Sequence, residues 1–233
     1  MRHEGWRRGV IEPYRHIAVY NLPVDNTSMS ELEMLMAQLL SPHSPRRRSA
    51  AKKLRKLGDP VAGPALLNAL EHELPDPRTW ETQYQMIMAL AHCGYTEAGP
   101  LLQILAHEKF AATMVLVAVG DAYVRLRRRS DSDPGPLLEL FTVRNDESLL
   151  DGALRAVAML HMGFEPDVTA SILEQVVERK SERLKFWAAA ACPGWSGVAI
   201  DRFLDQCALS PREDVRNAAA DAKVHKYRKW KPL

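Results

Sequence analysis

Apolar residues along this chain return at helical spacing. Ala51, Leu54 and Leu57 fall on one face of a 3.6-residue helix, Ile87, Leu90 and Ala91 on a second, and Ala153, Val157 and Leu160 on a third. No run of four or more residues shows a convincing strand alternation of apolar and polar positions. The pattern predicts about twelve helices in antiparallel pairs. The first (A) helices fall over 45–57, 79–93, 112–127, 149–162, 182–191 and 211–230. The second (B) helices fall over 61–73, 97–108, 134–143, 166–179 and 197–209, and a helix over 30–40 opens the row as a half-repeat.

Punctuation residues agree with this division. Gly58, Gly94, Gly163 and Gly194 each follow an A helix, where glycine can take the left-handed backbone that ends a helix. Ser44-Pro45, Asp59-Pro60, Asp133-Pro134 and Ser210-Pro211 place a capping side chain before a proline at the first helical position. Ser28 with Glu31 and Ser210 with Glu213 have the spacing of a capping box. Gly63-Pro64, Gly99-Pro100 and Gly135-Pro136 recur 36 residues apart, which aligns Leu66, Leu102 and Leu138, and the register continues to Leu173 and Leu204. One helix pair cannot bury its apolar stripe alone, so a repeat of this kind implies neighbours stacked over a shared core.

The stretch SPRRRSAAKKLRKLGDPVAGPALLNALE, from Ser44 to Glu71, resembles the short HEAT-type repeats of phycobilisome-lyase-like proteins. A cation three residues before an alanine carries the likeness, followed by Gly-Asp and a B helix. The cation–alanine step returns as Arg48/Ala51, Arg155/Ala158, Lys185/Ala188 and Arg216/Ala219. The second repeat departs, with Tyr84 at the cation position, and the third has no glycine elbow after RLRRRSDSD. The resemblance spans roughly residues 44–222 and implies an all-α fold, a right-handed α-solenoid of about five to six HEAT-like helix pairs used for binding. It also implies that the B helices line the concave side. We expect a single solenoid domain over 30–233, with 1–29 as a capping or arm segment, because Trp6, Tyr14, Ile17, Val19, Tyr20 and Leu22 make that segment too apolar for a free tail.

Composition narrows the functional classes. Of 233 residues, 46% are hydrophobic and 26% charged, and the net charge is +2, too small a bias for a general polyanion binder. Three widely spaced cysteines without a C-x-x-C point to reduced thiols and a cytoplasmic setting. No signal-peptide pattern is evident at the start, and the longest apolar run, Phe110 to Gly120, is too short to span a bilayer.

Catalytic motifs are missing. There is no phosphate-binding glycine loop, no dinucleotide fingerprint and no H-E-x-x-H. Ser196 in PGWSG lacks the spacing and the strand of a nucleophile elbow and reads as a turn residue. The eight histidines are scattered, and adjacent His92 and Cys93 do not point at one metal from a helix, so neither metal nor cofactor is expected. Asp121 and Arg125 interrupt an otherwise apolar helix at i,i+4 spacing and read as a structural ion pair. Trp80, Trp187 and Trp195, at helix ends or turns, read as packing between repeats.

Aligned B-helix columns give the candidate site. Leu67, Gln103, Glu139, Glu174 and Asp205 form one column, and Glu71, His107, Val143 and Glu178 form another four residues on. These columns hold five carboxylates and no lysine or arginine. Cations gather on the first A helix, at Arg127 to Arg129 and in the tail KVHKYRKWKPL, which reads as an end cap. The expected role is therefore non-enzymatic: binding of another protein with a basic surface through Glu71, Gln103, His107, Glu139, Glu174, Glu178 and Asp205, as an immunity or inhibitor protein or an adaptor. The alternative is a DNA-directed HEAT-like protein of the AlkD-like glycosylase kind, or a bilin-lyase-like chromophore handler. A DNA groove should be basic and aromatic, which the acidic columns oppose.

Overall fold

A computed structural model describes residues 29–143 and 146–228. Twelve α-helices and no strand occupy these residues. In chain order they are α1 (Glu31–Gln38), α2 (Ser44–Leu57), α3 (Gly63–Glu73), α4 (Trp80–His92), α5 (Gly99–His107), α6 (Thr113–Arg127), α7 (Gly135–Val143), α8 (Glu147–Met159), α9 (Pro166–Glu178), α10 (Glu182–Ala191), α11 (Val198–Ala208) and α12 (Glu213–Lys223). The chain is thus an all-α solenoid. The even-numbered helices form the A row, each packed on the next, and the odd-numbered helices form the B row on their flank. One continuous apolar core runs from Leu35 to Ala222. The expected 1–29 arm lies, but for Met29, outside the described residues.

The turns follow from local chemistry. Gly58 and Gly94 take positive φ of 64° and 65° after α2 and α4, as the helix-end rule requires. Gly163 and Gly194 do not. After α8 the left-handed residue is His161, and α10 runs on into the 3-10 turn Cys192–Gly194. Gly194 is small for another reason: a Cβ there would strike the Tyr227 hydroxyl. Asp59 caps its turn through Val61 N–H at 2.9 Å, and Asp133 accepts from Gly135 N–H at 2.9 Å. The first capping box is Ser30 with Glu33, two residues beyond the expected pair.

Serines 44 and 210 do something the capping rule does not anticipate. The N-caps of α2 and α12 are His43 and Arg212, with no side-chain cap bond. Instead the Ser44 hydroxyl lies 2.8 Å from that of Thr82 at the start of α4, and donates to Glu73 at 2.6 Å. Ser181, ahead of α10, donates to Glu147 on α8 at 2.8 Å, and Ser210, ahead of α12, donates to Glu182 on α10. The helix starts of consecutive A helices are thereby tied by side chains across the repeat boundary. Glu73 also pairs with Arg47 at 2.6 Å. Burial pushes its carboxyl up, yet the bonds from Arg47, Ser44 and Thr79 outweigh that and hold it below its ordinary value.

The last helix ends at Lys223, earlier than its periodicity suggests. His225 takes a φ of 51°, its Nδ1 lies 3.2 Å from the Pro193 carbonyl, and Tyr227 stacks on His161 with ring centroids 3.7 Å apart. Folding back over the preceding repeat buries more aromatic surface than another exposed helical turn would.

The A row is tightest between α6 and α8. A Cβ on Gly120 would run into the Leu149 carbonyl, and one on Gly152 into the Val117 carbonyl, so two helix backbones touch there. In consequence α6 is buried without a break from Val115 to Val124 and α8 from Ser148 to Ala158. B helices approach one another far less, chiefly α9 with α11. The A helices therefore form the closely packed row, and the B columns lie on the more loosely packed one.

Gly120→Ala and Gly152→Ala should each destabilise the fold by about 1–3 kcal/mol or more, the cost of overpacking a backbone contact. Gly99→Ala, where added atoms meet nothing within 4 Å, should stay within about 0.5 kcal/mol. Denaturant melts of the three variants check this.

Candidate functional site

The B columns are surface, as their polarity requires. Glu71 on α3, Gln103 and His107 on α5, Glu174 and Glu178 on α9, and Asp205 on α11 are exposed, and Glu139 on α7 is half-buried. The helices that carry them bury the opposite stripes, such as Leu66 and Leu70 on α3 or Ile172, Leu173 and Val176 on α9.

Their charge is less uniform than the columns imply, because cations from other elements reach across. Arg127, at the end of α6, packs over the Tyr123 ring at 4.7 Å, donates to Gln103 at 3.3 Å and pairs with Glu139 at 3.4 Å. Lys223, at the end of α12, pairs with Asp205 at 2.6 Å. Both lie on A helices, so no reading of B columns alone could find them. Glu71, Glu174 and Glu178 have no ion-pair partner among the described residues.

Between α9 and α11 the surface is grooved. Leu173, Val177 and Phe203 form its floor, and Glu174, Glu178 and Arg202 its rim. At about 290 Å³ it accepts one protruding side chain more readily than a whole small molecule, whose pockets run from about 300 to 1,000 Å³. Ile104, beside Gln103, is 59% exposed.

On the A row, the Asp121–Arg125 pair forms and gains a third member. Asp121 is fully buried, and its two oxygens accept from Arg125 Nε at 2.5 Å and Arg155 Nε on α8 at 2.9 Å. Arg155 also donates to the Tyr84 hydroxyl at 3.3 Å and reaches the Met88 sulfur, while Arg125 reaches the Met159 sulfur. Burial pushes the Asp121 carboxyl up, but the two guanidiniums and their hydrogen bonds prevail and hold it below the usual range. His92 sits nearby. Its own burial, then the fields of Arg125 and Arg55, push it down to about 4, so the ring is neutral at pH 7.

Nucleophilic chemistry finds no support here. Burial raises all three cysteine thiols, Cys93 to about 11 and Cys207 to about 12, with Cys192 raised too. Ser196 lies exposed in the turn before α11. Among the described residues no group of three or more His, Cys, Asp or Glu could hold a metal ion, and no helix is long and apolar enough to cross a membrane.

Residues 46–72, covering α2 to α3, match the PBS lyase HEAT-like repeat. One helix pair thus carries the sequence pattern of a HEAT-like repeat, and the pairs that follow it in the chain keep the same two-helix plan. Among curated proteins none matches. Similar solved structures include an engineered protein, at 20% identity over 84% of this chain and 98% of the other with a TM-score of 0.47. A second engineered protein shares 17% identity over 85% and 99% of the chains, TM-score 0.43. A designed armadillo repeat protein shares 19% identity over 84% and 99%, TM-score 0.42.

Asp121→Asn would leave two buried guanidiniums without their counter-charge and should cost about 3–5 kcal/mol in a denaturant melt. Stability should also fall with pH in two stages. The unfolded chain takes up the His92 proton below about 6.5 while the fold resists until about 4, so stability declines across that window. Below it, protonation of Asp121 removes the carboxylate charge. Urea titrations at pH 7, 5 and 3 check this, and His92→Gln should flatten the first stage alone.

Proposed function

We propose that this chain is a non-enzymatic repeat scaffold that holds another protein, one with a basic surface, on its B-helix side. The observation that carries the reading is the exposure of Glu174 and Glu178, neither in an ion pair among the described residues, on the rim of an apolar groove able to seat one anchoring side chain, with Glu71 exposed and likewise unpaired on α3. Open carboxylates steer a cationic partner during encounter, and the apolar floor supplies the burial that slows its release. Two forms of the role suit this chemistry. An inhibitor or immunity protein would cover a basic active site on its partner, and an adaptor would hold a partner that stays active. Enzymatic readings draw no comparable support, since the thiols are buried and raised and the eight histidines are dispersed.

Glu71→Lys/Glu174→Lys/Glu178→Lys should lower affinity for a basic partner captured from native extracts by about tenfold or more, mainly through slower association and a steeper loss with salt. The melt should shift by no more than about 0.5 kcal/mol, because none of the three is paired. Surface plasmon resonance on the co-purified chain reads the affinity. Equal affinity in the variant would place the interface elsewhere. Assaying the partner's own activity with and without this chain separates inhibitor from adaptor.

A further inference from the structure

The groove between α9 and α11 is a slot rather than a round hollow. Its α9 wall runs from Ala170 to Glu178 and its α11 wall from Ala199 to Gln206, so the lining follows two turns of each helix, about 12 Å along α9. Ala170 and Ala199 carry a single methyl each where larger side chains would close the gap, and both are half-buried, so the space between them stays open to solvent. Val177, also half-buried, continues this accessible apolar strip, with Leu173 and Phe203 beneath it. A slot of this form takes a long, unbranched side chain laid along its axis more readily than a branched or aromatic one.

Charge is distributed unevenly along the slot. Glu174 and Glu178 stand four residues apart on one face of α9, where like charges repel, and neither has an ion-pair partner among the described residues. The nearby cations leave them so. Arg202 stands on the opposite wall four residues into α11, as Ala170 stands four residues into α9, whereas Glu178 is the last residue of α9. Arg179 turns instead to the Gln175 carbonyl at 3.0 Å and to the Phe141 ring at 5.0 Å. Lys180 lies past the helix end and does not line the slot. The slot is therefore positive toward the helix starts and negative toward the end of α9.

We infer that the slot seats one arginine side chain of a partner protein, its methylene stem over Val177 and its guanidinium between Glu174 and Glu178. This rests on the reading that the B side holds a basic protein, and it names the residue type that anchors it. A guanidinium is weakly hydrated and offers five N–H donors in a planar fork, so it can serve two carboxylates at once and relieve their repulsion. Lysine brings a compact, strongly hydrated charge on a similar stem. An aliphatic side chain fills the slot and leaves the carboxylates unanswered. The charge gradient also sets the direction, with the guanidinium toward Glu178 and away from Arg202.

The test uses the full chain with methyl-labelled alanine and valine, titrated with N-acetyl-arginine methylamide and followed by NMR. Saturable shifts at the Ala170, Val177 and Ala199 methyls are expected, with a Kd of the order of 1–10 mM, as a fragment of this size allows. The citrulline analogue keeps the shape without the charge, the norleucine analogue keeps only the stem, and both should bind about tenfold more weakly or less, with lysine between them and arginine. Glu174→Gln/Glu178→Gln should weaken arginine about tenfold and leave citrulline unchanged. Both glutamates are exposed, so circular-dichroism melts of this variant should overlay the parent. Absence of saturable shifts at these methyls would overturn the inference. So would binding of norleucine equal to that of arginine, which makes the slot a plain apolar anchor, or of lysine, which makes charge alone decisive. Loss of the captured partner in the triple lysine reversal, without an arginine-specific shift, would overturn this inference and leave the B-side reading standing.

Discussion

Backbone contact between α6 and α8 at Gly120 and Gly152 sets the geometry on which the rest of the molecule depends. Helices usually pack 8–10 Å apart because side chains hold them there, and glycine on both sides removes that spacer. The gain is dispersion and burial along two whole helices. The consequence is that any polar side chain facing the seam must find its partner inside the protein. Asp121 follows Gly120 directly and Arg155 lies one turn beyond Gly152, so the close approach that buries the carboxylate also delivers its second guanidinium. An ion pair of this kind adds little net stability over an apolar pair but makes the register of α6 on α8 unforgiving, because a slip strands a buried charge.

The same closeness separates the two sides of the solenoid. With the A row drawn together, the B helices touch one another less and leave shallow grooves such as the one between α9 and α11. On the B side Glu139 and Asp205 are met by Arg127 and Lys223, while Glu71, Glu174 and Glu178 stand exposed without an ion pair among the described residues.

Between repeats the molecule relies on hydroxyl ties at the starts of A helices, Ser44 with Thr82, Ser181 with Glu147 and Ser210 with Glu182, and Ser44 also donates to Glu73 at the end of α3. Each is modest by itself, of the order of 1 kcal/mol. Placed at the same corner of successive A helices, they fix the angle at which one pair meets the next. After α12, Tyr227 and His225 pack back over His161 and Pro193 of the preceding helix pairs.

Local chemistry was enough to read the repeat. Helical periodicity, the Gly-Pro marks 36 residues apart, the elbows at Gly58 and Gly94 and the exposed B columns are properties of segments, and each segment carried its own signal. Asp121 with Arg125 was legible for the same reason, since four residues on one helix suffice to define the pair. Arg155 as the second partner of Asp121, Arg127 on Glu139 and Lys223 on Asp205 were not, because those contacts join residues that only the stacking of helices brings together. A glycine inside a helix reads as a weakness in one dimension, and only its counterpart on the facing helix shows it to be the point where two backbones meet.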